Sequence, residues 1–282
     1  MKKFLIVVLL LVVCIGGLAG YVVWDDMTVE ITDYEIASEK LPEDFDGYKI
    51  ALLTDYHNAT YPEQVIDKVK QIEPDVIIAC GDMMTMGDDS YANTTRLFDG
   101  IVKIAPVYMV SGNHEIFSED WRSTLRPAFE AQGVKVLDIA DVYLTKGSSR
   151  IHMYGLQDPA IADSRILTEA GMEPWIQKAV RTKDPDTFNI LLCHRANYFD
   201  RIYKTGYELV LSGHMHGGMV RLPFLGGLLT PERDQWFPAY TAGIYEKEGS
   251  KMVVSRGLDN LKGRPRVFNG PEVVAVTLRT GE

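Results

Sequence analysis

The sequence predicts an α/β fold, a four-layer α-β-β-α sandwich in which two mixed β-sheets pack face to face with helices outside, preceded by one transmembrane helix. Three observations predict it. Short apolar runs rich in β-branched residues recur along the chain, bounded by glycine and polar residues, as buried strands are. Several of these runs alternate with segments whose apolar residues fall at helical spacing, the pattern of βαβ units. A further set of strands is shorter and set apart by turns or long loops, as in a second sheet packed on the first.

The first 24 residues form an N-terminal transmembrane anchor and residues 25 to 282 a single domain. Phe4 to Trp24 carry no charge, and at about 1.5 Å per residue a helix of this length reaches roughly 31 Å, enough to cross a hydrocarbon core. Lys2 and Lys3 precede the span, whereas Asp25, Asp26, Glu30 and Asp33 follow it. The positive-inside rule then keeps the N-terminus in the cytoplasm, with the domain on the outer face of the cell membrane and Tyr21 and Trp24 at the interface. A cleaved signal peptide is the rival reading, with Gly17-Leu18-Ala19 as its small-residue site. The length of the span and its aromatic end favour a single-pass anchor. Cys14, preceded by Leu11-Val12-Val13, makes a poor lipoprotein signal and reads as one more apolar residue of the span.

Within the domain, Ile50 to Thr54 is a strand, Pro62 opens a helix with Val65, Ile66, Val69 and Ile72 on one face, and Val76 to Cys80 is the next strand. A second amphipathic segment carries Leu97, Phe98, Ile101 and Ile104 before a strand at Val107 to Val110. A third places Trp121, Leu125 and Phe129 on one face behind a Ser118 cap. Ile190 to Cys193 and Leu209 to Leu211 complete the buried strands, which are expected to share one sheet. Val134 to Leu137, Val142 to Thr145, Arg150 to Gly155, Lys251 to Ser255 and Glu272 to Leu278 are assigned to the other. Cys80 and Cys193 close buried runs, where a free thiol packs as a small hydrophobe, and no disulfide framework is implied.

Composition sets broad limits. With 46% hydrophobic and 24% charged residues the chain reads as an ordinary folded protein. Its 29 Lys and Arg against 39 Asp and Glu leave a net charge of −10, which disfavours sequence-independent binding to phosphate backbones, so no nucleic-acid partner is expected.

The five buried runs share a second property: each ends on a residue able to bind a metal. They lead to Asp55-Tyr56-His57, Gly81-Asp82, Gly112-Asn113-His114-Glu115, His194 and Gly213-His214-Met215-His216. Open α/β sheets place their sites at strand ends, so these side chains are expected to converge. Of the six histidines only His152 lies elsewhere, in Ile151-His152-Met153-Tyr154, where a structural, hydrogen-bonded role is expected. Aspartate, histidine and asparagine suit manganese, iron, zinc or nickel. Two such ions roughly 3.5 to 4 Å apart, joined by a carboxylate, make hydroxide available at neutral pH and clamp both oxygens of a displacement at phosphorus.

In this order the motifs Asp-x-His, Gly-Asp, Gly-Asn-His-Glu, isolated His and Gly-His-x-His resemble the calcineurin-like metallophosphoesterases. Leu41 to Ile50, Gly217-Gly218, Ser255-Arg256-Gly257-Leu258 and Asn269-Gly270-Pro271-Glu272 are similar to their membrane-anchored YkuE-type branch. The resemblance covers nearly the whole domain. It implies two divalent metal ions, one on Asp55, His57 and His216, the other on Asn113, His194 and His214, with Asp82 bridging. It implies that His114 stands outside the ligands and acts on the phosphoryl oxygens or the leaving oxygen. Arg195, beside His194, is a candidate phosphate contact by its planar fork, with an ion pair behind the ligand as the competing role.

One position departs from the family pattern. Many members carry an acid three residues after the bridging aspartate to orient the catalytic histidine, whereas this chain has Thr85. Glu115, Asp88, Asp89 or a backbone carbonyl are the alternatives for that role. The resulting expectation is a hydrolase of a phosphate ester or diphosphate linkage, on a phosphorylated small molecule or a lipid-linked substrate at the membrane. Related anchored enzymes that hydrolyse UDP-diacylglucosamine point to the lipid-linked class. A non-catalytic binding or scaffold module on the same fold is the alternative. Amide and acyl-ester hydrolysis are disfavoured, since neither a His-Glu-x-x-His helix nor a Gly-x-Ser-x-Gly turn is present. The irregular stretch Leu222 to Leu229, just after the last ligands, either presents apolar side chains beside the metals or packs Leu222, Phe224 and Leu228 into the core.

Overall fold

Successive side chains of a strand point to opposite faces, so a strand apolar throughout feeds two cores at once. The computed structural model, which describes residues 1–159, 169–222, 224–230, 235–260 and 266–281, is layered on this principle. After α1 (Lys2–Asp26) the chain runs through β1 (Glu30–Ser38), β2 (Lys49–Leu53), α2 (Pro62–Ile72), β3 (Val76–Cys80), α3 (Ala92–Ile101) and β4 (Val107–Val110). Next come α4 (Asn113–Phe117), α5 (Arg126–Ala131), β5 (Val134–Val136), β6 (Ala140–Lys146), β7 (Ser149–Leu156) and α6 (Glu169–Thr182). The remainder is β8 (Asn189–Arg195), α7 (Phe199–Ile202), β9 (Leu209–Gly213), β10 (Arg221–Leu222), β11 (Gly226–Gly227), β12 (Gly243–Lys247), β13 (Ser250–Val254) and β14 (Glu272–Thr280).

Two six-stranded mixed sheets result, ordered β1-β14-β2-β3-β4-β5 and β12-β13-β9-β8-β7-β6. Ile50, Leu52, Ile78, Val110, Ile190, Leu192 and Leu211 meet between them in the central core. Their neighbours Ala51, Leu53, Ile77 and Met109 face outward onto Val65 and Val69 of α2, Leu97 and Phe98 of α3 and Phe129 of α5. On the opposite side Leu191, Val210 and Met252 pack against Ile176 and Ala179 of α6 and Phe199 and Ile202 of α7. These are the four layers expected. Helix α1 is long and apolar enough to cross a membrane, and none of its residues is buried.

Each expected strand exists, but their division between sheets is corrected. Val134 to Leu137 and Glu272 to Leu278 were expected in the second sheet, yet β5 and β14 lie in the first, beside β4 and β2. The His194 and His214 strands, expected in the first sheet, are β8 and β9 of the second. A strand buried on both faces reads alike in either sheet, and membership is set by pairings between distant segments. Ser118 is also corrected: it ends α4, while the π-helical turn Trp121–Leu125 starts at Asp120 without a side-chain cap. Strands β1 and β12 escaped the sequence because both are edge strands with one solvated side. Pro223, within the apolar stretch Leu222 to Leu229, lies outside the described residues.

Candidate metal centre

The ligand segments leave the C-terminal ends of β2, β3 and β4 in one sheet and of β8 and β9 in the other, and the site forms where the two sheets' strand ends meet. Sharp turns make this possible. Asp55, His57, Asp82, His214 and His216 all have left-handed backbone, with φ of +50°, +48°, +53°, +71° and +44°. Non-glycine residues avoid this region, and such clusters collect at functional sites. Two glycines of the motifs are explained by close approach: a Cβ on Gly81 would lie 2.4 Å from His194 Nδ1, and one on Gly112 would lie 2.3 Å from Asp82 Oδ1.

Three groups of metal-binding atoms emerge: Asp55, His57 and His216; Asp82, His194 and His214; and Asp82 with His57 and His114. Asp82 Oδ2 stands 3.8 Å from His57 Nε2 and 3.2 Å from His194 Nε2, so this carboxylate lies between two rings from different sheets. Asp55 Oδ1 is 3.4 Å from His216 Nε2 and 3.9 Å from His194 Nε2. Asn113, the first residue of α4, holds a buried Oδ1 with no hydrogen-bond partner. His57 Nε2 and His194 Nε2 are likewise buried and make no hydrogen bond, although the Asp82 carboxylate lies close to both. Buried polar atoms without hydrogen bonds are costly, and a cation would satisfy them.

The outer nitrogens explain why the inner ones stay open. His194 Nδ1 lies 2.8 Å from the Cys80 carbonyl, His216 Nδ1 2.9 Å from Asp259 Oδ1, and His57 Nδ1 3.3 Å from Thr85 Oγ1. A carbonyl or carboxylate partner fixes the proton on Nδ1 and leaves the Nε2 lone pair for a ligand bond. His114 is held the opposite way, for its Nδ1 accepts the Met86 N–H at 3.0 Å. The neutral ring then carries its proton on Nε2. A backbone amide thus fills the orienting role, rather than Glu115, Asp88, Asp89 or a carbonyl, and Thr85 is engaged with His57.

Charge reinforces the arrangement. Burial pushes His57 down to about 4, against the pull of Asp82, so its ring is neutral at pH 7. For His194 burial also disfavours charge, but Asp82 and Asp55 outweigh it and push the ring up to about 10. Burial resists ionisation of Asp82, yet His194, His114 and His57 together hold the carboxyl well below the usual range. Arg195 is buried, with Nε 2.6 Å from Asp158 Oδ2 and Nη1 2.9 Å from His214 Nε2. Arg195 is thus engaged in an ion pair with Asp158 beside His214.

The sequence profile of the calcineurin-like phosphoesterases matches residues 48–218. The chain belongs to this family. The chain is 25% identical over 280 residues to the uncharacterized metallophosphoesterase YkuE of Bacillus subtilis (strain 168), an alignment that covers 94% of this chain and 91% of the relative. It is also 24% identical to a transmembrane protein with metallophosphoesterase domain from Danio rerio, over 89% of this chain and 57% of that protein. The corresponding Bos taurus protein is 28% identical over 80% of this chain and 52% of its own length. The chain thus spans little more than half of these two transmembrane relatives. Among solved structures, the phosphopantetheinyl hydrolase of Mycobacterium tuberculosis shares the fold, with TM-score 0.50 at 10% identity over 83% of this chain and 96% of that one.

Several residues that build the phosphoesterase site escaped the sequence. Glu115 is fully buried and accepts N–H groups from Gly112, Asp82, Met83 and Met84, tying the β3 and β4 loops together. Burial and the neighbouring Asp82 push its carboxyl up to about 8, against those amides. Asp259 is clamped between His216 and the buried Arg266, 3.2 Å away, and Asn269 Nδ2 donates to the His216 and Met219 carbonyls. Glu115 carried a signal as the last residue of the Gly-Asn-His-Glu motif, though for a different role, and Asn269 as part of the Asn-Gly-Pro-Glu segment; Asp259 and Arg266 carried none. His152 takes the structural role expected, buried beside Asn189 Oδ1 at 3.0 Å.

Proposed function

We propose that this protein is a metal-dependent phosphohydrolase that cleaves a phosphate ester or diphosphate linkage, on a lipid-linked substrate of the UDP-diacylglucosamine kind. The donor set supports two divalent cations, with Asp55, His57 and His216 holding one, Asn113, His194 and His214 the other, and Asp82 shared. Manganese, iron, zinc and nickel suit these donors. When bound, such ions would polarise the phosphoryl oxygens and supply a nucleophile from water at neutral pH.

The remaining chemistry falls to the chain. His114, with its proton on Nε2, donates a hydrogen bond to a phosphoryl or departing oxygen and stabilises the charge that develops there, the departing oxygen taking its proton from water. Asp259 holds His216 and the Cys80 carbonyl holds His194, each at Nδ1, so these two rings need no reordering during turnover. The observation that carries the reading is the opposite bracing of the histidines: His194 and His216 meet oxygen acceptors through Nδ1 and turn Nε2 toward the Asp82 and Asp55 carboxylates, whereas His114 accepts an amide at Nδ1 and keeps its proton on Nε2. A non-catalytic scaffold has no use for the His114 ring.

Helix α1 is read as a single-pass anchor with the domain on the outer face, supported by Lys2 and Lys3 before it and Asp25 and Asp26 at its end. Metal analysis of active full-length protein, with turnover of bis(p-nitrophenyl) phosphate and of a lipid-linked diphosphate, tests the function. Two ions per chain are expected. At most one strongly bound ion in fully active protein would refute the dinuclear reading.

A further inference from the structure

Apart from Met1 and α1, every large apolar side chain among the described residues that is more than half exposed lies in one lobe. These are Phe224, fully exposed, and Leu225, Trp236 and Phe237 at 64%, 66% and 59%. The core-packing role considered for Phe224 is thereby excluded. The lobe is a small irregular meander. Residue Val267 bridges Val220, β10 pairs with β11, and Leu229 bridges Trp236. Its base is fixed to the site, because the N–H groups of Leu228 and Leu229 both reach the Gly218 carbonyl, two residues after His216.

Two features set this lobe apart from a solvated loop. Phe224, Phe237 and the exposed Phe268 have left-handed backbone, with φ of +67°, +51° and +52°. Bulky aromatic residues rarely adopt it, whereas glycine or asparagine would relieve it at no loss to a turn facing water. The lobe is also continuous with the helix that crosses the bilayer. The Phe268 ring lies 5.6 Å from that of Tyr21, and the N–H groups of Asn269 and Arg266 donate to Asp25 and Asp26 at the helix end. Tyr21 and Trp24 mark the depth at which α1 leaves the hydrocarbon, and aromatic side chains partition to that depth.

We propose that the meander and Phe268 form a membrane-lying surface, which inserts Phe224, Leu225, Trp236 and Phe237 into the headgroup region of the bilayer that α1 crosses. The occupant is a lipid surface held by apolar contact. The net charge of −10 gives anionic lipids no general attraction for this chain. Docking sets the mouth of the metal centre at headgroup level, where a lipid-borne phosphate or diphosphate lies. The surface rests on α1 being an anchor, and its use in catalysis rests on the proposed phosphohydrolase activity.

Full-length protein carrying Trp24→Phe, in nanodiscs of phosphatidylcholine brominated on its acyl chains, isolates the Trp236 signal, since Trp121 is buried. A further Trp236→Phe variant supplies the Trp121 and Trp175 background. Bromolipid is expected to quench a component that Trp236→Phe abolishes, and acrylamide to leave that component largely untouched. Quenching by acrylamide without quenching by bromolipid would overturn the surface. In unbrominated nanodiscs, Phe224→Ser with Leu225→Ser is expected to slow hydrolysis of a hexadecyl p-nitrophenyl phosphodiester about tenfold and to leave bis(p-nitrophenyl) phosphate within twofold. Equal losses on both substrates would overturn the link to lipid turnover. Bromolipid quenching with hydrolysis of neither ester would sustain the surface and refute the phosphohydrolase reading instead.

Discussion

The two halves of the metal centre are built by different means. The half from β2, β3 and β4 supplies Asp55, His57, Asp82 and Asn113 and is braced by backbone: Glu115 gathers four amide groups, and the Met86 amide holds His114. The half from β8 and β9 supplies His194, His214 and His216, and two of these rings meet charged side chains, one from far along the chain and one at the end of β8 itself. Asp259 supports His216, and Arg195, paired with Asp158, supports His214. The backbone bracing acts between the loops of β3 and β4, which are neighbours in one sheet. Side-chain bracing requires the whole fold.

Asp82 is where the halves meet, and its removal should do the most damage. Asp82→Ala is expected to lose both ions and measurable turnover, whereas His57→Ala should strip one side only. Equal metal loss in the two variants, by elemental analysis, would dissolve the division into halves. His114→Asn comes next, lowering kcat by roughly a hundredfold while metal content stays at the wild-type level. Metal loss in that variant would move His114 into the ligand group it borders with Asp82 and His57.

Asp259→Asn tests the side-chain-braced half. Metal affinity should fall about tenfold, the scale seen when the partner of a ligating histidine is weakened. Affinity unchanged from wild type would show that His216 needs no such support. The smallest expected effect is on protons. A ring pushed up to about 10, as His194 is, holds its proton at pH 7 and must lose it to bind a metal, whereas His57, at about 4, has none to lose. Loading the metal-free chain should therefore release protons at pH 7, and affinity on the His194 side should weaken by roughly tenfold per unit as pH falls. Calorimetry in buffers of different ionisation enthalpy measures this. Metal uptake without proton release would remove the distinction.

The same contrast explains what the sequence revealed. Strand runs and ligand motifs were legible because a continuous apolar run and the polar residue that ends it are local, as in Ile50 to Thr54 leading to Asp55. The sheet to which β8, β9, β5 and β14 belong was not, because pairing joins segments far apart, as when β14 enters between β1 and β2. Asp259 and Asp158 were invisible for the same reason. A lone aspartate in a loop has no periodicity, and its role is conferred by a histidine or arginine tens of residues away. His114 was legible as a residue but not in its orientation, since the Met86 amide that sets its proton leaves no mark on side-chain identity.

The end of α1 has a consequence for processing. Asp25 and Asp26 hold the backbone of Asn269 and Arg266, and those residues in turn steady His216 directly and through Asp259. A cut at Gly17-Leu18-Ala19 falls upstream of both aspartates. A shed form of the protein would therefore keep the clasp that finishes its own metal centre, and a recombinant fragment started a few residues later, after Asp26, would not.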